Sequence, residues 1–338
     1  MIKFFTVLLF MLLLISNDSQ AQCCSGGAGS PIAGGYSQGV LAGRQVEINT
    51  NFRFVNTDQF YTGDKKDTTR YFDSFRSAYQ YFRLAYGVTE KLTMSIETGN
   101  YFYKEETGLN NDPARTYSSS GFSDLLLFPR YEVYRKTKNE RITELSLGLG
   151  VKIPIGSYND STGNVEPFSG STYYVTNPQA VQLTTGANDV IFYLFYLKTL
   201  GKKDFKVFAN TFYILKGWNP LGEKMGDYAS VSLFVSRSFV KNLGTTLQIR
   251  GEWMNEMSVN KDILTYAYPN YDPFATGYKK VFVIPQVSYS VGKFTFFALA
   301  DLPVYQYVTK TQVATELQIT AGASFRFLVP EQPKPLSL

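Results

Sequence analysis

The chain has 338 residues, with 33 Lys and Arg against 28 Asp and Glu, a net charge of +5, and no histidine. The excess positive charge is scattered and forms no Lys/Arg block, which excludes nucleic acid as a partner. Without histidine the usual general base of nucleophilic catalysis is absent, and no carboxylate pair replaces it; Glu105-Glu106 reads as a solvated rim. The sequence therefore predicts no enzyme and no cofactor.

The first element is an export signal. Lys3 precedes an apolar run from Phe4 to Ile15, followed by a polar stretch ending Ser19-Gln20-Ala21. The run is too short for a membrane-spanning helix, which needs about 20 residues, and the small residues fit cleavage before Gln22. Residues 1–21 are thus assigned as a signal peptide and 22–43 as a Gly-rich N-terminal arm or plug. The two cysteines, Cys23 and Cys24, are adjacent in that arm, so no disulfide framework holds the domain. As a thiolate pair they are candidate ligands for a soft metal such as Cu(I), although two sulfurs supply only half of a four-ligand site. An unstructured arm is the plainer reading.

From residue 44 a period of two takes over. Val46, Ile48, Thr50, Phe52 and Phe54 alternate with Gln45, Glu47, Asn49, Asn51 and Arg53. Leu145, Leu147, Leu149, Val151 and Ile153 alternate likewise with Glu144, Ser146, Gly148, Gly150 and Lys152, and the pattern returns over 243–253 and 315–327. About twelve such runs follow in order, near 44–56, 75–87, 91–106, 121–135, 141–155, 188–200, 205–216, 229–239, 243–254, 280–291, 293–308 and 315–328. The runs at 188–200 and 205–216 alternate poorly. Pro129, Pro154, Pro285 and Pro303 fall in or at the ends of runs, where bulges or strand ends are expected because each removes a ladder donor.

The links alternate in length. Short ones lie at 88–90, 136–140, 201–204, 240–242 and 292; long ones at 57–74, 107–120, 156–187, 217–228 and 255–279, with a lesser one at 309–314. Short periplasmic turns and long outer loops are the pattern of a transmembrane barrel. A sheet with open borders in hydrocarbon would leave amide groups unsatisfied at several kcal/mol each, so the sheet must close. The predicted fold is all-β: a single antiparallel outer-membrane β-barrel over 44–328, with the apolar face on lipid, the polar face on the lumen, and a periplasmic tail at 329–338. The 25 Tyr and 27 Phe against 2 Trp suit such strands with interfacial girdles. Tyr101, Phe102, Tyr103, Tyr173, Tyr174, Tyr266, Tyr268 and Tyr271 are candidates for the girdle or for an entrance.

Under this parity the lumen-lining candidates are Glu47, Arg53, Arg83, Glu97, Arg130, Glu132, Glu144, Lys152, Arg250, Glu252, Asp301, Glu316 and Arg326. Both signs are present, which fits ion-pair networks that stiffen the barrel or a selectivity filter. Glu47 and Arg53 are expected to face Glu316 and Arg326, and Arg130 with Glu132 to face Glu144 and Lys152.

Four segments, Gly121-Phe-Ser-Asp124-Leu-Leu-Leu-Phe-Pro-Arg130-Tyr131, Leu149-Gly-Val-Lys152-Ile-Pro154-Ile-Gly156, Thr185-Gly-Ala-Asn-Asp189 and Leu302-Pro303-Val-Tyr305-Gln306-Tyr307, resemble the MetA-pathway of phenol degradation family of outer-membrane proteins. That resemblance implies a barrel related to fatty-acid and hydrocarbon transporters, passing small hydrophobic or aromatic compounds. It carries over no set of binding residues. The alternative is a non-conducting structural or interaction barrel, with or without a metal-binding Cys-Cys arm. The expected partners are outer-membrane lipid and a small-molecule solute.

Overall fold

A computed structural model describes residues 39–68, 70–108, 116–138, 141–200, 205–240, 242–260 and 272–330. Twelve long strands form the wall: β1 (Gln45–Thr57), β2 (Ser74–Gly87), β3 (Leu92–Thr107), β4 (Asp124–Lys138), β5 (Arg141–Pro154), β6 (Asp189–Leu200), β7 (Phe205–Leu215), β8 (Tyr228–Val240), β9 (Leu243–Met254), β10 (Tyr278–Val291), β11 (Phe294–Val313) and β12 (Gln318–Leu328). Each pairs antiparallel with its neighbours in the chain, and β12 returns to β1, from Gln45 opposite Leu328 to Phe54 opposite Ile319. The ring has no free border, so every wall amide has a neighbouring strand.

Alternation decides which side chain meets which solvent. Ile48, Leu84, Ile96, Leu147 and Ile249 lie exposed on the outer face, while their neighbours Glu47, Arg83, Glu97, Ser146, Gln248 and Arg250 are buried. This is an inside-out arrangement for water but the stable one in a bilayer, where a charge on the outer face costs roughly 2–4 kcal/mol at midplane. The expected polar interior holds for β1, β3, β9 and β12 and fails for β6 and β7. There the inward residues Ile191, Tyr193, Phe195, Phe208, Phe212 and Ile214 are as apolar as the outward Phe192, Leu194 and Tyr213. Two greasy faces erase the period of two, which is why these runs alternate poorly.

The prolines act in two ways. Pro154 ends β5, and Pro303 sits beside a register shift between β10 and β11. Pro129 and Pro285 lie instead inside β4 and β10, without a shift at the proline itself. The β4–β5 ladder passes from Leu127 opposite Val151 to Arg130 opposite Gly148, and the β10–β11 ladder from Val283 opposite Leu302 to Gln286 opposite Leu299. In each case the missing donor opens a gap in the hydrogen bonds while the pleat continues.

Long connections emerge at one end and short ones at the other. The outer end carries a hairpin of Phe60–Gly63 and Lys65–Asp67 that pairs with the upper part of β11. It also carries a strand at Thr116–Phe122 alongside upper β3, and a hairpin of Ser161–Val165 with Thr172–Thr176. At the opposite, periplasmic end the chain reaches β1 through a turn at Arg44, whose φ of 62° is left-handed. Leu41 is buried there, its N–H donating to Thr93 Oγ1 at 2.8 Å, and the Val40 N–H reaches Glu144 Oε1 at 3.3 Å. Thr93 is on β3 and Glu144 on β5, so residues 40 and 41 run across the inner wall.

Candidate functional site

The inner wall divides into a charged part and an aromatic part. On β1–β3 and β12, Glu47 lies between two guanidinium groups, paired with Arg83 at 2.8 Å and with Arg326, and Arg83 also lies 3.5 Å from Glu97. The Tyr81 hydroxyl and the Ser95 hydroxyl both donate to Glu97. A second network on β9 and β11 joins Arg250 to Glu252 at 2.7 Å and to Asp301 at 3.1 Å, with the Arg250 guanidinium over the Phe282 ring. Signs alternate along each chain of contacts, so each charge of these two networks has an opposite neighbour and the desolvation cost is offset.

The aromatic part occupies β4 and β6–β8. Phe128, Tyr193, Phe195, Phe208, Phe212 and Phe234 are all buried in one cluster. Their rings touch in sequence: Phe128 with Tyr193 at 5.6 Å, Tyr193 with Phe212 at 4.7 Å, Phe195 with Phe208 at 6.1 Å, and Phe208 stacked on Phe234 at 4.4 Å. Strand β5 makes room for them by having no inward side chain at two positions. A Cβ built on Gly150 would meet Phe128 Cδ2 at 2.5 Å. Because Leu126 and Ile191 start near the outer ends of β4 and β6, and Phe195 and Phe208 lie toward the periplasmic ends of β6 and β7, the cluster forms a column along the wall.

At the outer rim stands a third group, of which parity found only Lys152. Lys152 Nζ pairs with Asp124 at 3.1 Å and with Asp189 at 2.8 Å, and donates to Thr185 Oγ1; Lys216 Nζ pairs with Asp189 at 2.9 Å. Asp124, Lys152 and Asp189 each come from a different motif segment, so the three segments converge on one ammonium group. Beside it the Tyr79 hydroxyl contacts Ser123, and the Tyr79 and Tyr101 rings pack at 4.6 Å.

Of the sequence candidates, Glu47, Arg83, Glu97, Arg130, Glu132, Glu144, Lys152, Arg250, Glu252 and Asp301 are buried, and Arg53, Glu316 and Arg326 are half-buried. Of the expected pairs, Glu47 with Arg326 forms, the two standing opposite each other in the ladder. Arg53 lies over the Tyr79 ring, and Glu316 accepts from Gln59 and the Asp58 N–H. Glu132 pairs with Arg135 in its own strand, Glu144 accepts from Ser146 and Val40, and Lys152 turns to the two aspartates. Register accounts for Glu132, which stands opposite Ser146, two residues from Glu144. Lys104 and Lys280 were missed. Each is held by an aromatic ring and a neutral oxygen, Tyr101 with the Gln182 carbonyl and Tyr278 with Thr315. The girdle candidates divide: Tyr101 packs on Tyr79, Phe102 faces out, and Tyr173 and Tyr174 belong to the outer hairpin. Glu105 pairs with Arg76, whereas Glu106 is buried and so departs from the expected solvated rim. The signal segment, Cys23, Cys24, Tyr266, Tyr268, Tyr271 and residues 331–338 lie outside the described residues.

Residues 51–189 match the family described as Putative MetA-pathway of phenol degradation. The matched stretch includes the three motif segments that meet at Lys152 and stops before Leu302–Tyr307. The crystal structure of an outer membrane channel from Pseudomonas putida F1 is similar with a TM-score of 0.60 at 14% identity, over 87% of this chain and 98% of that one. The fold is therefore that of an outer-membrane β-barrel. The translocator domain of the autotransporter NalP from Neisseria meningitidis (TM-score 0.45, 12% identity, 85% and 90% covered) and a Pseudomonas aeruginosa FadL homologue (0.45, 7%, 89% and 97%) are also similar. Scores of that size carry no weight for function. A search of curated proteins finds no match.

Proposed function

We propose that this barrel is an outer-membrane channel for small hydrophobic or aromatic solutes. The aromatic column carries the reading. Two charged networks with alternating signs already supply inward packing and polarity on one part of the wall, and a general aqueous pore has no use for a column of rings on the other. Contact with rings is non-directional and favours apolar area removed from water, with nearby polar groups to orient a solute. The name of the matched family points to phenol, and the similar Pseudomonas putida protein is an outer membrane channel.

The test is reconstitution of the full chain in planar bilayers and liposomes. Entry of phenol-like probes faster than entry of sugars of similar size supports the reading, and Tyr193→Ser with Phe234→Ser lowers entry of the aromatic probe more than ion current. Absence of both current and solute entry removes it. A non-conducting barrel is the second reading, favoured by the near-complete covering of Arg83 and Arg130, which are 2% and 1% exposed. Such a protein would show native heat-modifiable migration and no flux.

A further inference from the structure

The longest outer connection contains a stretch that does not behave like a water-facing loop. Residues 177–187 read Asn-Pro-Gln-Ala-Val-Gln-Leu-Thr-Thr-Gly-Ala, without one charged side chain. Asn177 and Val181 are fully covered, and Gln182, Leu183 and Ala187 are buried. The stretch joins no sheet. Its backbone joins the same outer connection, the Asn177 N–H donating to the Asp160 carbonyl and the Thr184 N–H to the Ser157 carbonyl, and its ties to the barrel wall involve side chains. Lys104 Nζ on β3 donates to the Gln182 carbonyl at 2.6 Å, and Lys152 Nζ on β5 donates to Thr185 Oγ1 at 3.2 Å. Asn219, beyond β7, donates to the Thr185 carbonyl at 3.0 Å, and Asn177 donates to Ser119 Oγ at 3.0 Å.

These anchors stand on β3, on the strand beside it, on β5 and on the loop after β7. The stretch therefore spans the outer end from β3 to beyond β7, the side of the barrel that carries the aromatic column. Three properties distinguish it from a fixed part of the wall. No ladder of the wall holds it, so it can lift together with residues 157–160 without unzipping a wall strand. It brings no charge into the mouth, so lying there costs no ion desolvation. Lifting it exposes Val181 and Leu183 to water, so the resting position is shut.

We propose that residues 177–187 form a lid over the outer mouth, latched by Lys104 and Lys152, that opens to admit solute. This rests on the channel reading above. A neutral lid also filters, because a solute arriving at the mouth meets no charge of the lid itself.

The experiment compares three full-length proteins: the native chain, Lys104→Met, and a chain in which residues 179–184 are replaced by a shorter Gly-Ser link. Each is measured in planar bilayers. A second readout uses Leu126→Cys, near the outer end of the column, in a Cys23→Ser, Cys24→Ser background, labelled by a membrane-impermeant maleimide added outside cells. The lid predicts a several-fold rise in conductance or open fraction for both altered chains, and faster labelling of position 126. Equal conductance and equal labelling in proteins that retain native gel migration would overturn it. If the native chain conducts and the altered ones fall silent, the stretch is a structural element and the lid is likewise wrong. No current and no solute entry from any of the three removes the channel reading, and the lid with it.

Discussion

Glu47→Gln tests the buried charges most directly. The Glu47 carboxylate is fully covered and paired with both Arg83 and Arg326, and the Arg83 side chain is equally covered. Glutamine keeps the shape, but it brings an NH2 group against at least one guanidinium and removes the negative charge between two positive ones. Breaking a fully buried pair costs about 3–5 kcal/mol, because the partner charge is left in a poor solvent. Arg326→Gln cuts the same contact from the other side, yet Arg326 keeps 19% of its side chain exposed and Glu47 retains Arg83. Its cost should be nearer 1 kcal/mol, as for pairs that water can reach. The assay is denaturant unfolding in lipid vesicles, read by fluorescence of the outward Trp253 and checked by migration of unheated samples. The two substitutions must separate, with Glu47→Gln the costlier by about 2 kcal/mol or more. Equal costs, or a loss below about 1 kcal/mol for Glu47→Gln, would refute the claim that these charges are desolvated in the barrel.

Gly150→Leu should lower stability by roughly 1–3 kcal/mol through overpacking against Phe128, and Phe128→Ala in the same chain should restore part of the loss in the same titration. Leu149→Arg, one residue away on the outer face, should cost roughly 2–4 kcal/mol near midplane, and it should reduce the fraction recovered folded in outer membranes. Lys152→Met leaves Asp189 with Lys216 and strands Asp124, so it should destabilise the rim more than Lys216→Met does. Side-by-side unfolding curves decide that order.

The closed sheet was legible because alternation and link length are both local properties of the chain. One face of β1 or β5 can be read from five residues. Partner choice was not legible to the same degree, since it depends on register: Glu132 stands opposite Ser146 and pairs with Arg135 in its own strand. The rim group escaped for a different reason. Asp124 and Asp189 are the first residues of their strands and Lys216 lies just past the end of β7, where the period of two no longer dictates direction. Their motif segments were visible, and only the fold brought them to Lys152. The aromatic column was hidden by the signal it destroys, because strands greasy on both sides look like weak strands.

The pairing of β1 with β12 has a further consequence for how the molecule is made. Glu47 and Arg326 are 279 positions apart along the chain, so the earliest wall segment to be exported must wait for the latest before its carboxylate is neutralised from both directions. Every shorter nascent form carries two raw margins and a half-matched anion at one of them. Commitment to the bilayer is thereby tied to arrival of the final strand, a check on completeness written into the seam itself.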